Sequence, residues 1–324
     1  MKRGASRKGA VLLGVFVLLA AASGIGSAAG EIDVSGYTQA RYNMFDDSMY
    51  KADEFDLRRV RVKFKGPIND QGTVATVQVD LSKLDETGSG DVGLKDAIIE
   101  HPLSDEWRVR LGYSSVLFGF EVPYSSSSRL PFERSQAARK LFPGERDTGL
   151  YLIRRPTEES QPEVVVAFSD GLADWEDDEQ QAFVARAQWG LGGKSVAGIS
   201  YLNATRTQGD EDFDQDVLGA HVRWNGPSGL SLQGEYYDGT ILDVDVDGWY
   251  GQVEYAFPAS KWTGYYRYDV FDDGKETSDE YTRSTLGAAY QLDKNQRITL
   301  ELEDLDNEKG VGATNWGIQW QFKY

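Results

Sequence analysis

The sequence contains no cysteine and only two histidines among its 324 residues. Without cysteine, no disulfide stabilises the chain and no thiolate can act as a nucleophile or as a metal ligand. Two imidazoles leave little scope for general acid–base catalysis or for nucleophile activation. We therefore expect no enzymatic activity, no cofactor and no metal centre.

Long apolar runs and basic residues are also scarce. Beyond residue 30 no stretch approaches the roughly 18 consecutive apolar residues that a spanning helix needs, so a helical membrane bundle is excluded. Lys and Arg total 34 against 52 Asp and Glu, which gives a formal net charge of -18. A polyanionic partner needs a basic face, so we expect no nucleic-acid partner.

The first 29 residues have the organisation of a secretory signal peptide. Four cations precede an apolar stretch over residues 10–22, and small residues follow at positions 27–29. The apolar stretch is too short to anchor the chain, so we expect cleavage after residue 29. We predict two regions, a signal peptide over residues 1–29 and a barrel domain over residues 30–324. The signal carries only cations, so the mature net charge would fall to -22.

The mature region is a succession of segments that alternate apolar and polar residues. The last one is the clearest, because Trp316, Ile318, Trp320 and Phe322 are separated by polar residues or glycine. A period of two indicates strands with one apolar and one polar face. Seven short turns and eight longer acidic loops would join sixteen such strands. An even strand number after an export signal predicts an all-β, antiparallel transmembrane barrel in the bacterial outer membrane, in contact with its lipid.

The third outer loop, over residues 115–146, is the longest connection. Loops of this length are usually functional, and a sixteen-stranded barrel is too wide to select among small ions without a constriction. We expect this loop to fold inward and to carry basic residues into the pore, with one constriction acid. The cations are Arg129, Arg134, Arg139, Lys140 and Arg146, and the acid is Glu133. The alternative is an outward lid whose charges are merely solvated.

A second basic feature is the strand over residues 58–65. Val60, Val62 and Phe64 would take the lipid side, and a bulge near Arg58 would explain why the preceding apolar residues are out of phase. The cations of the lumen side are Arg59, Arg61, Lys63 and Lys65, and the later pair Arg108 and Arg110 repeats the pattern. Alternatively, lumen acids such as Asp80, Glu235, Glu254, Glu301 and Glu303 neutralise these cations.

Three segments carry a resemblance to a known family. Residues 55–61 (Phe-Asp-Leu-Arg-Arg-Val-Arg), 131–135 (Pro-Phe-Glu-Arg-Ser) and 142–149 (Phe-Pro-Gly-Glu-Arg-Asp-Thr-Gly) resemble the phosphate-selective porin O and P family. The resemblance implies a homotrimer of sixteen-stranded barrels, an inward third loop and lumen cations that relay anions. Members that prefer phosphate line the pore with many more Arg and Lys than this sequence offers at matching positions.

The sequence therefore predicts a passive outer-membrane diffusion pore for small hydrophilic solutes that prefers anions, phosphate or similar ions among them. The alternative is a surface-exposed ligand-binding or adhesive barrel without significant transport. The acidic loops around residues 210–214 and 243–247 lack the glycine and spaced glutamate of an EF-hand, so we interpret them as solvated loops rather than as calcium sites.

Overall fold

The computed structural model describes most of the chain after the predicted signal peptide. Residues 1–29 lie outside the described part, as do several residues of the outer loops, including Asp210. None of the described residues forms a helix long and apolar enough to cross a membrane. The described ranges are 30–46, 54–84, 90–142, 145–158, 160–171, 181–208, 211–241, 243–274, 280–307 and 312–324.

Sixteen antiparallel strands close into a single barrel in which each strand pairs with its neighbours in sequence. Both the strand number and the antiparallel order confirm the predicted fold. The strands are β1 (Asp33–Asp46), β2 (Glu54–Pro67), β3 (Val74–Leu84), β4 (Gly90–Pro102), β5 (Trp107–Ser115), β6 (Arg146–Arg154), β7 (Glu163–Ser169), β8 (Ala182–Gly190), β9 (Val196–Gln208), β10 (Glu211–Asn225), β11 (Leu230–Ile241), β12 (Val244–Ala256), β13 (Trp262–Asp272), β14 (Tyr281–Gln291), β15 (Gln296–Asn307) and β16 (Ala313–Lys323).

The barrel closes through the end of the chain. Strand β16 pairs with β1 from Thr314 to Lys323, and the backbone groups of Tyr324 and Gly36 exchange hydrogen bonds of 2.9 and 3.1 Å. Along β16 the apolar residues are exposed, whereas Gln319 and Gln321 are buried and face the interior. The predicted alternation of the last strand is confirmed, and closure pairs every described strand on both sides.

Connections differ between the two ends of the barrel. The seven turns that follow the even-numbered strands are short, as predicted, and the segment between β5 and β6 is the long connection. Two predicted outer loops are shorter than expected, because β9 and β10 are separated only by residues 209–210, and β11 and β12 only by residues 242–243. In both places the strands extend into Asp-rich segments that the sequence had indicated as loops. Cross-strand pairing there outweighs the low β-propensity of Asp.

Strand β2 contains the predicted bulge. Gln39 pairs with Arg59 and Ala40 pairs with Leu57, so Arg58 is the extra residue. The extra residue restores the phase of the strand, and Phe55 and Leu57 are exposed on the outer face. Because a bulge re-aims the side chains beside it, both Arg58 and Arg59 are able to contact the same partner.

Candidate functional site

The candidate site is built around the long loop, which we define as residues 116–145. It contains a short helix, α1 (Gln136–Leu141), that the sequence did not predict. The side chain of Ser135 caps α1 by accepting a hydrogen bond from the backbone N–H of Ala138 at 3.3 Å. The cap satisfies one of the backbone donors that a helix end leaves unpaired.

Apolar packing fixes one side of the long loop. The rings of Phe118 and Phe142 lie 4.7 Å apart, and Phe118 stacks on Tyr237 of β11 at 6.1 Å between centroids. These rings belong to a buried apolar cluster whose wall residues come from β6 to β13. In the described ranges, β1 to β5 contribute none of its members, so this packing is confined to one side of the barrel.

Buried carboxylates of the wall accept hydrogen bonds from the loop backbone. Glu235 accepts from the N–H groups of Phe120 and Glu121 at 2.7 and 2.6 Å. In the same way Glu301 accepts from Phe132 N–H at 3.0 Å, and Asp269 accepts from Gln136 N–H at 2.8 Å. These bonds satisfy loop donors that lack a strand partner.

Arginines of the wall bind the loop carbonyls in the complementary sense. Arg186 donates to Gly119 O at 3.1 Å, Arg267 to Glu133 O at 3.0 Å, and Arg297 to Arg129 O at 2.7 Å, and Arg283 donates to Arg134 O. These donors lie on β8, β13, β15 and β14. Ionisable side chains of the wall therefore pair with both the N–H donors and the carbonyl acceptors of the loop backbone.

Three arginines converge on the predicted constriction acid. The Glu133 carboxylate contacts Arg41 at 3.1 Å, Arg58 at 2.9 Å and Arg59 at 3.0 Å. Burial opposes ionisation of Glu133, but the three guanidinium charges outweigh it and hold the pKa of this carboxyl well below its usual range. One carboxylate against three cations leaves two positive charges at this point.

The predicted loop cations have different surroundings. Arg134 is buried and donates to the carbonyls of Glu121, Val122 and Tyr124. It also forms an ion pair with Glu145, so its donors hold the loop in shape. Arg129 is also buried and donates to Phe132 O. The exposed loop cations are Arg139 and Lys140, and Arg146 is buried against Asp96 and Glu145.

Most of the predicted wall cations are paired. Arg61 contacts Asp80 at 2.9 Å. Arg108 and Arg110 share Glu100, at 3.5 and 2.9 Å. Among the described residues, neither Lys63 nor Lys65 has an acid within 4 Å. The structure thus brings Arg59 and Glu133 together, and it separates them from the pair Arg108 and Arg110 near the short turns.

Sequence reasoning missed several members of the site. Arg41 lies on the interior face of β1, where the alternation through Gln39 would have indicated it. Arg267 and Arg283 occupy interior positions of β13 and β14, but nothing local distinguishes them from other wall residues. Within the described ranges, no group of three acids or histidines has the arrangement of a metal site. His221 faces the interior beside Gln188, and His101 contacts Thr73.

Comparison with known proteins supports the fold. The chain is similar to a loop L8 deletion mutant of OmpT, an outer membrane protein of Vibrio cholerae, with 14% identity over 92% of this chain and 100% of that chain, and a TM-score of 0.69. It is similar to the outer membrane channel DcaP of Acinetobacter baumannii, with 12% identity over 92% and 98% of the two chains and a TM-score of 0.66. No curated protein matches the sequence.

The comparison with family profiles adds evidence from the sequence itself to these similarities of fold. The profile of the family described as phosphate-selective porin O and P matches residues 33–189, which span β1 to β8 and the long loop. The matched part contains Arg59, Glu133 and the rest of the arginine cluster. Over these residues the chain is similar to the phosphate-selective porin O and P family, and it is a passive diffusion channel of the bacterial outer membrane.

Proposed function

We propose that this porin prefers anions, and that the long loop folds into the lumen and forms the constriction at which the preference arises. The loop contacts strands on opposite sides of the closed barrel, among them β2, β8 and β13. A segment outside the barrel does not reach interior side chains on opposite walls. This pattern of contacts supports an inward fold.

The observation that carries the anion preference is the convergence of three arginines on Glu133. Glu100, near the short turns, is likewise shared by Arg108, Arg110 and Arg155, but that group lies away from the long loop. At the loop, Arg41, Arg58 and Arg59 exceed the one acid they share. A local excess of one sign of charge at a narrow point is a known basis of pore selectivity.

The net negative charge of the chain does not oppose this proposal. Many of the acids lie in outer loops, roughly 12 Å or more from the middle of an apolar band about 25 Å tall. The Debye length at physiological salt is about 8 Å, so their field is largely screened there. The arginines act at contact distance, where an ion at about 4 Å gains on the order of 1 to 4 kcal/mol.

Reversal potentials across a KCl gradient in planar bilayers test the proposal. The wild-type pore should pass anions more readily than cations at 0.15 M salt. Arg58→Gln should lower the anion-to-cation permeability ratio, because Arg58 is the most exposed of the three arginines, at 40% of its side chain. Glu133→Gln should raise the ratio, since it removes the only acid of the cluster.

Arg154→Gln is the matched control. Arg154 is a strand arginine paired with Glu106 at 2.9 Å, but it lies near the short turns, away from the long loop. This variant should leave the reversal potential unchanged. Cation selectivity of the wild type, or a shift of the same sign in Arg58→Gln and Glu133→Gln, would refute the assignment.

We further propose that the porin is exported through a cleaved signal peptide and assembles as a homotrimer. The similarity to the porin O and P family over residues 33–189 and the similarity to a trimer form of OmpT, at 14% identity and a TM-score of 0.65, support the trimer. Light scattering in detergent measures the oligomer, and the mass of the mature chain measures cleavage.

A further inference from the structure

The contacts of the long loop cover most of the interior wall and leave one part of it open. Apolar side chains of β6 to β13 pack in the buried cluster that includes Phe118 and Phe142. Polar side chains of β1, β2 and β13 to β16 bind the loop, as with Arg41, Arg297 and Gln321. Among the described residues, and leaving Asp91 and Tyr113 aside, β3, β4 and β5 make no hydrogen bond to the side chains or backbone of residues 116–140. The wall of β3 to β5 is therefore the part that the loop leaves open.

Strand β4 has a bulge on this open wall. Gln78 of β3 pairs with Asp96 and Val79 pairs with Leu94, so Lys95 is the extra residue. A bulged residue loses its ladder partner. Here the Lys95 carbonyl accepts a hydrogen bond from Arg146 Nε at 2.6 Å, and Arg146 also contacts Asp96 at 3.5 Å. Arg146 therefore fixes the bulge in place.

The Lys95 side chain lies on the interior face. A Cβ added to Gly93 would lie 3.9 Å from Lys95 Cε and 3.7 Å from Asp80 Cβ. Asp80 is buried and contacts Arg61, which faces the interior opposite Tyr37. Lys95 thus extends over Gly93 on the same side as Asp80, and the missing side chain of Gly93 leaves room for its stem.

On this wall the described interior arginines and carboxylates form ion pairs, whereas Lys95 does not. Asp80 pairs with Arg61, Asp96 with Arg146, and Glu100 with Arg108 and Arg110. In the described part of β3 to β5, Lys95 is the interior cation that has no acid within 4 Å. Lys63 of β2 also has no ion pair among the described residues, and it lies opposite Gln78 of the adjacent strand β3.

We propose that permeating anions pass along the wall of β3 to β5 and that Lys95 is a specificity-determining residue of this path. The inference rests on the proposed anion preference and adds the route and a residue to it. A matched pair has a weak field beyond its immediate contact, whereas an unpaired ammonium attracts any anion that passes within a few ångströms. Lys95 is partly exposed, so a hydrated anion is able to approach it.

Thiol labelling tests the position and the charge of Lys95 together. The sequence has no cysteine, so Lys95→Cys introduces the single thiol of the protein. The variant in planar bilayers is treated with a methanethiosulfonate that carries a trimethylammonium group or one that carries a sulfonate. The ammonium label should restore the wild-type permeability ratio. The sulfonate label should lower the ratio, roughly two- to threefold per unit charge if the ion passes about 8 Å away in water.

Lys294→Cys, in the exposed turn between β14 and β15, is the matched control and should show no shift with either label. Lys95→Gln keeps a polar side chain of similar length and should lower the ratio without labelling, which covers the case in which the cysteine variant does not fold. A thiol at residue 95 that resists labelling in the folded barrel overturns the inference. Complete labelling, checked by mass, with identical reversal potentials also overturns it.

The outcomes separate this inference from the proposed function. If the wild-type pore is cation-selective but the two labels at residue 95 shift the reversal potential in opposite directions, the anion preference fails and the route stands. If the wild-type pore prefers anions but residue 95 is insensitive to the sign of the label, the preference stands and the route is wrong.

Discussion

At the scale of single residues, ionisable side chains of the wall organise the interior of this porin through their hydrogen bonds and ion pairs. Wall carboxylates such as Glu235 take backbone donors of the long loop, and wall arginines such as Arg267 take its carbonyls. A loop without strand partners would otherwise leave buried backbone groups unpaired, at a cost of about 1–3 kcal/mol each. Arginines that serve in this way are committed to structure. At the long loop, the cluster at Glu133 has three arginines for one acid.

We predict that Glu235→Ala loosens the long loop without unfolding the barrel. The substitution leaves the N–H groups of Phe120 and Glu121 without their acceptor. A loss of about 1–3 kcal/mol would raise the open population of the loop roughly 5- to 150-fold. Trypsin cleavage at the exposed Arg139 and Lys140 in the folded protein measures this population.

Two variants control this experiment. Glu235→Gln keeps one acceptor oxygen and should show a smaller increase in cleavage. Glu254→Ala removes a wall acid that contacts Arg223 rather than the loop backbone, and its cleavage rate should match the wild type. Equal rates in Glu235→Ala and the wild type would mean that Glu235 does not hold the loop.

At the scale of elements, the long loop combines two kinds of support. Phe118 and Phe142 pack with apolar side chains of β6 to β13, and the loop backbone is held by ionisable side chains around the wall, among them Glu235 of β11 and Arg297 of β15. Apolar packing buries one side of the loop, while the polar contacts pair its backbone groups. Helix α1 is too short to be stable by itself, so its structure depends on this packing and on the Ser135 cap.

Deletion of residues 122–140 should enlarge the pore. The deletion removes α1 and Glu133, so a sixteen-stranded barrel would be left without its constriction, and single-channel conductance should rise roughly twofold or more. The anion preference should fall at the same time, because ions would pass farther from Arg41 and Arg59.

A deletion of residues 173–179, between β7 and β8, serves as the control and should change conductance little. Unchanged conductance after the deletion of residues 122–140 would place the long loop outside the permeation path.

At the scale of the whole molecule, closure is the step on which every other feature depends. The backbone of Tyr324 pairs with that of Gly36, and its hydroxyl donates to Arg61 O at 3.0 Å. The tyrosine ring lies directly over Gly36, where an added Cβ would be only 2.6 Å from the ring. The last residue therefore completes the seam between β1 and β16.

Replacing Tyr324 with Asp should block assembly. The substitution removes the ring and the hydroxyl and places a charge at the seam, where unpaired backbone groups cost several kcal/mol in a membrane. The amount of heat-modifiable, folded barrel in the outer membrane should fall on the order of tenfold, given that each 1.4 kcal/mol is a factor of ten.

Tyr324→Phe keeps the ring and loses only the hydroxyl, so it should assemble almost as well as the wild type. If the Tyr324→Asp variant is inserted and heat-modifiable like the wild type, the role given to the seam is wrong.

The sequence by itself determined the features that depend on local periodicity. A period of two assigns each strand residue to one face, so the sixteen strands, the outward apolar row of β16 and the bulge at Arg58 were all predictable. The bounds of the long loop were predictable too, because turn residues and the loss of alternation mark them. The ends of β9 to β12 were not, since cross-strand pairing decided them against local propensity.

Only the tertiary structure decided which charges meet. Glu235 and Glu121 are 114 residues apart, and Arg267 and Glu133 are 134 residues apart, so no local pattern relates them. Periodicity gives the face of a side chain, but its partner depends on the closure of the barrel and on the path of the long loop. For the same reason, the sequence alone did not distinguish Arg61 and Arg134 from Arg59 as candidate pore cations. In the folded barrel Arg61 pairs with Asp80, Arg134 pairs with Glu145, and Arg59 contacts Glu133. Among the described residues, Lys95 has no acid within ion-pair distance.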